Sequence, residues 1–157
     1  MKKKIYLFFF VIIFFIFQSK IVFSQIENSI IISVGDYPIT RLDLLKEIKL
    51  IAILSNTEIN QNNREQIKGL AVKSLIKRNI KENEIKRRNI FKYNKKQLEA
   101  LISSTSQKIG LDKNGLKMIL EKNNLSYEEL IKRFETDLKW NYMIFQIYKN
   151  KISLNAA

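Results

Sequence analysis

Past an opening apolar run, the chain settles into alternating short apolar stretches and polar breaks. "IIISV", Ile30 to Val34, is a β-branched run that reads as a short strand. Gly35-Asp36 is a turn signal, and Tyr37 to Thr40 reads as a returning strand in which Pro38 requires an edge position. From Thr40 the period changes to that of a helix. Leu44, Leu45, Ile48 and Ile51, with Leu42 less regularly, recur at helical spacing until the polar connection "SNTEINQNN". Thr40 is placed to cap this helix: its hydroxyl can accept from the Asp43 amide, and the Asp43 carboxylate suits the positive helix end.

The next periodic segment runs from about Asn63 to Asn89, with Ile67, Leu70, Ala71, Leu75 and Ile80 on or near one face. Its second half is intensely charged, and Glu82–Lys86 and Glu84–Arg88 are i,i+4 pairs in the favourable orientation. Asn94, with Gln97 three residues on, starts a third helix along Leu98, Leu101, Ile102 and Ile109, and Gly110 is suited to end it. Asp112 caps a short fourth helix carrying Leu116, Ile119 and Leu120. After "NNLS", Ser126 and Glu129 form a capping-box pattern that opens a last helix to about Asn150. Tyr127, Leu130, Ile131, Phe134, Leu138 and Phe145 face one side of it. The pattern therefore predicts a mainly α fold: a small domain of about five helices with a short N-terminal β-hairpin.

The first residues belong to a different class. Lys2, Lys3 and Lys4 precede an unbroken apolar run from Ile5 to Phe17, which Gln18, Ser19 and Lys20 interrupt. Val22 and Ser24 are small enough for a signal-peptidase site before Gln25. The run is shorter than the roughly 20 residues a spanning helix needs. A cleaved signal peptide over 1–24 is expected, the alternative being an uncleaved anchor extended through Ile21 to Phe23 with Lys20 snorkelling. Either sends the chain out of the cytoplasm, released or tethered at the membrane. Residues 25–29 then read as a linker, 30–153 as the folded domain and 154–157 as a tail.

Composition narrows the chemistry. The chain of 157 residues contains no histidine and no cysteine, which removes disulfides, thiol nucleophiles, histidine bases and almost every zinc site. Its four glycines make no phosphate loop, and no acid cluster has metal-ligand spacing. The carboxylates Glu128, Glu129 and Asp137 lie in ordinary helical charge patterning. No catalytic, cofactor-binding or metal-ligating residues are expected, and no cofactor.

Lys+Arg exceed Asp+Glu by 28 to 15, a formal charge of +13. Losing the four lysines of residues 1–24 would leave +9. Such a balance suggests an anionic partner. A second explanation is composition alone: lysine, isoleucine and asparagine make up 63 of the 157 residues, the bias of an AT-rich genome. Most of the excess sits in "KRNIKENEIKRRNIFKYNKK", with Lys77, Arg78, Lys81, Lys86, Arg87, Arg88, Lys92, Lys95 and Lys96 against two acids. It reads either as an electrostatic collar for acidic clients or membrane surface, or as a solvated helix face. An exported chain makes nucleic acid an unexpected partner.

The order of these parts resembles the N-terminal domain of the SurA family of periplasmic chaperones and parvulin-type prolyl isomerases. The opening strand and helix start follow the family's "V-x-x-V-x-[ND]-x-x-I-[TS]-x-x-[DE]" through Ile31, Val34, Asp36, Ile39, Thr40 and Asp43. Phe91, Tyr93, Asn94, Gln97 and Leu98 occupy its next motif, the first three departing in residue type. Gly110, Leu111, Asp112 and Leu116, then Leu125, Ser126 and Leu130, match the two turns before the last helices. The likeness covers residues 30 to 153.

The family continues into parvulin domains, whose active site uses histidines, and into a C-terminal helix; this chain reaches Ala157 without them. The resemblance therefore implies a holdase-type chaperone domain without isomerase activity. Its clients would be unfolded or extended outer-membrane protein chains bound in an apolar groove. Met118, Trp140, Met143, Phe145 and Tyr148 are the candidate client-binding residues, being more apolar than one helix face needs. Trp140, off the Phe134–Leu138–Phe145 stripe, is the strongest candidate for exposure. The alternative for these residues is core packing or a dimer contact. At the level of function, the alternatives are a membrane-tethered subunit docking on a separate isomerase or the outer-membrane assembly machinery, or a truncated remnant of such an isomerase.

Overall fold

A computed structural model describes residues 29–149. The expected export segment, linker residues 25–28 and the end of the chain from residue 150 lie outside the described residues. The architecture is mainly helical: strands β1 (Ile30–Val34) and β2 (Tyr37–Thr40) are followed by α1 (Arg41–Leu54), α2 (Arg64–Arg87), α3 (Lys95–Lys108), α4 (Lys113–Lys122) and α5 (Tyr127–Tyr148).

The two strands pair antiparallel around the Gly35-Asp36 turn, with Val34 opposite Tyr37 and Ile32 opposite Ile39. Gly35 takes φ +59° at the first turn position, a conformation glycine reaches without strain and one that type II′ hairpins require. A register irregularity falls between Ile30 and Ile32. A lone two-stranded hairpin is marginal in water. This one is held by laying Ile32, Val34 and buried Ile39 over Leu44, Ala71 and Leu75 of the α1–α2 pair.

The helix starts follow the expected chemistry. Thr40 and Asp43 form a reciprocal capping box: the Asp43 amide donates to Thr40 Oγ1 at 3.2 Å and the Thr40 amide to Asp43 Oδ2 at 2.9 Å. Asn94 accepts from the amides of Lys96 and Gln97, and Asp112 accepts from that of Gly115. Ser126 accepts from the Glu129 amide, but the box does not close with Glu129, whose carboxylate instead faces Lys46 Nζ at 3.5 Å. The Ser126 hydroxyl donates to Glu128.

The helix ends share one device. After α1, α2, α3 and α4, the residue one past the cap adopts left-handed φ: Asn56, Asn89, Gly110 and Asn124. Each makes a Schellman closure. The Thr57, Ile90, Leu111 and Leu125 amides reach back to the carbonyls of Ala52, Ile85, Ser106 and Leu120. Glycine was anticipated at 110; the three asparagines do the same work, their short polar side chains tolerating the left-handed region.

Two apolar layers result. One joins the hairpin to α1 and α2. The other packs Leu116, Leu120, Leu125 and Leu130 with Leu50 of α1, and continues through Tyr127 and Phe134 to Leu98, Ile102 and Leu138. Helix α1 serves both layers, and between its two apolar faces lies Glu47, 1% exposed. Ser74 Oγ donates to one Glu47 carboxylate oxygen at 2.8 Å; Arg78 and Arg133 meet the other at 3.0 and 2.6 Å. Burial and the neighbouring Arg78 charge push the Arg133 guanidinium below its ordinary value, and Glu47 opposes that shift. One carboxylate thus ties α1, α2 and α5 together. The Arg133–Arg78 bridge and the Lys81–Asp137 pair advance in the same direction along both helices, so α2 and α5 run parallel.

The expected faces are corrected accordingly. Leu45, Leu70 and Ile80 are exposed, while Glu47 and, on α2, Ile85 are buried.

Removing Glu47 leaves two guanidinium groups side by side without their anion. Glu47→Ala should lower stability by about 3 kcal/mol, as for other broken buried pairs, and Glu47→Gln by less; urea unfolding followed by far-UV circular dichroism measures both. The helix stops make a second prediction: Asn124→Ala should cost ~1 kcal/mol because alanine pays for left-handed φ, whereas Asn124→Gly should be nearly neutral in the same assay.

Candidate functional site

The gap between the two layers does not close completely. Where α1, α2 and α5 diverge around the Glu47 bridge, they leave an open cleft of about 430 Å³. Its floor is apolar: Leu50, Ile51 and Leu54 from α1, with Leu130 and Phe134 from α5. These positions recur at helical spacing, so each helix turns an unfilled part of its apolar stripe toward the cleft. Its polar lining comes from Ser74, Lys77, Arg78 and Lys81 of α2, Arg133 and Asp137 of α5, Ser55, and Lys108 in the last turn of α3.

The charges are unevenly used. Glu47 is taken up by Arg78 and Arg133, and Asp137 by Lys81. Among the described residues, no ion pair engages Lys77 or Lys108. The cleft therefore combines an apolar base with two unneutralised ammonium groups. Among the described residues, no group of three or more metal-ligating side chains is gathered, and no helix is long and apolar enough to cross a membrane.

The anticipated client-binding residues fall elsewhere and are not brought together. Met118, on α4, is 69% exposed, and Phe145, near the end of α5, is 59% exposed. Tyr148 is likewise exposed. Trp140 is half-buried rather than open, and Met143 is 3% exposed, a core side chain that cannot meet a client without the fold opening. Phe145, assigned from its spacing to the inward stripe, points outward. None of the five lines the cleft.

The basic stretch divides in three. Arg78 is only partly exposed, being drawn toward Glu47, and also approaches Glu82 at 4.0 Å. Arg87 and Arg88 share Glu84, at 2.8 and 3.2 Å, and the hydrogen bond from Arg87 chiefly holds that carboxyl below its ordinary value. Glu82 thus faces Arg78 rather than the Lys86 suggested by spacing. Lys77, Lys86, Lys92, Lys95 and Lys96 are exposed. Beyond them, the Tyr93 hydroxyl donates to Glu135 at 2.9 Å, which raises its pKa, and Lys139 lies 5.3 Å from the Tyr93 ring centroid. That arrangement fastens the start of α3 to α5.

The cleft was missed in the sequence because its floor residues read as ordinary core. The signal that was present is Glu47 itself, a carboxylate midway between Leu44 and Leu50 on an apolar stripe. Compared with protein-family models, with curated proteins and with solved structures, the chain matches none.

Proposed function

We propose that this chain is an exported holdase-type chaperone domain that shields extended apolar segments, such as unfolded outer-membrane protein strands, without isomerase chemistry of its own. The observation that carries this reading is the open cleft between α1, α2 and α5, where Ile51, Leu54 and Phe134 are partly exposed above the buried Leu50 and Leu130. Pockets of several hundred Å³ are the usual size for a bound group. Outer-membrane strands alternate apolar and polar residues, so single side chains of such a strand can enter an apolar recess while the rest stays hydrated. Exposed Phe91, Met118 and Phe145 add separate apolar contacts on the same domain. Methionine and aromatic side chains adapt to varied partners. A function of this kind needs no reactive residue, in keeping with a chain that has neither histidine nor cysteine. Export rests on the N-terminal lysines and the apolar run that follows them, and the order of motifs like that of the SurA N-terminal domain supports the same assignment.

The expected result is that substoichiometric to equimolar mature protein suppresses light scattering when a urea-unfolded porin is diluted into buffer. Aggregation that proceeds unchanged at every ratio would overturn the proposal. Trp140 is the single tryptophan, so its emission reports on α5. It should shift when an aromatic-rich peptide is added. An unaltered spectrum, with binding seen calorimetrically, would remove Trp140 from the contact surface.

A further inference from the structure

We infer that the cleft between α1, α2 and α5 selects extended peptide segments in which an apolar side chain stands beside a carboxylate. This inference rests on the holdase reading and names the client class of its site. The argument is one of charge complementarity. Five cationic and two anionic side chains line the cleft. Both anions are already engaged, Glu47 by two guanidinium groups and Asp137 by Lys81. Two of the three excess charges therefore fall on Lys77 and Lys108, which have no ion-pair partner among the described residues. They come from different helices and line the same recess whose floor includes Leu50, Leu54 and Phe134.

A small inorganic anion would satisfy the lysines and leave the floor wet. A basic segment would meet net positive charge. A neutral apolar segment would cover the floor and leave both ammonium groups beside newly excluded water. A segment carrying one apolar side chain with a glutamate or aspartate next to it answers both features at once. Because the lysines are exposed, the charge contribution should be modest and salt-sensitive.

The test is calorimetric titration of the mature protein with two unlabelled peptides of one aromatic-containing apolar sequence, flanked either by glutamates or by glutamines. At low salt the glutamate peptide should bind roughly 5-fold tighter, the scale of one or two exposed ion pairs. The difference should shrink as added salt shortens the screening length to ~3 Å. The double variant Lys77→Glu/Lys108→Glu should lose the preference for the glutamate peptide over the glutamine peptide. Lys95→Glu/Lys96→Glu, with the same change in net charge outside the cleft, should retain the preference. Circular dichroism establishes that both variants are folded.

Equal affinities for the two peptides, or a preference that survives at Lys77→Glu/Lys108→Glu, overturns the inference. Porin aggregation with the same samples separates the two proposals. Protection of porin without acidic preference leaves the holdase reading standing and removes the inference. Acidic preference through Lys77 and Lys108 without porin protection does the reverse.

Discussion

The buried carboxylate of Glu47 is the constraint around which the domain is arranged. Removing a charge from water is costly, and a buried carboxylate needs partners that replace its lost hydration. It is tolerable only because Ser74, Arg78 and Arg133 arrive together. Those three partners belong to two other helices, so the rotation of α1 and its placement against α2 and α5 are specified jointly. A fully apolar face on α1 would slide and rotate more freely among leucine neighbours. What the ion cluster supplies is a single solution to the packing of three helices, and not necessarily a gain in net stability over an apolar replacement.

The same arrangement explains why an open recess persists. Guanidinium groups are wide and planar, and those of Arg78 and Arg133 lie partly exposed at the junction. Beside them, α1, α2 and α5 leave the cleft open. The two apolar layers meet through Leu50 and neighbouring residues of α1. The cleft is the part of that seam left open to solvent. Its positive character is a by-product of the same chemistry, because the acids near the seam are spent on structure while Lys77 and Lys108 are not.

Much of the fold was legible from local rules. The turn at Gly35, the caps at Thr40, Asn94, Asp112 and Ser126, and the breaks between helices are short-range chemistry, and short-range chemistry can be read along a chain. Facing was less legible. Leu45, Leu70 and Ile80 fit an apolar period yet point outward, while Glu47 is buried beside the apolar positions of α1. The partners of Glu47 lie 27, 31 and 86 residues further along the chain, and sequence patterning carries no record of such pairings. The candidate site suffered most. Trp140 and Met143 are surplus to the apolar stripe in sequence, yet Met143 is buried and Trp140 half-buried. The cleft residues, by contrast, looked like unremarkable core.

The asparagines that end α1, α2 and α4 give the compositional bias a physical meaning. A glycine at each stop would release the chain into a much larger set of backbone states when unfolded, and that freedom must be surrendered on folding. Asparagine reaches the same left-handed geometry from a narrower starting ensemble. A sequence holding only four glycines can therefore turn sharply between helices while keeping its denatured state comparatively restricted, so drift toward asparagine need not have eroded the fold's punctuation.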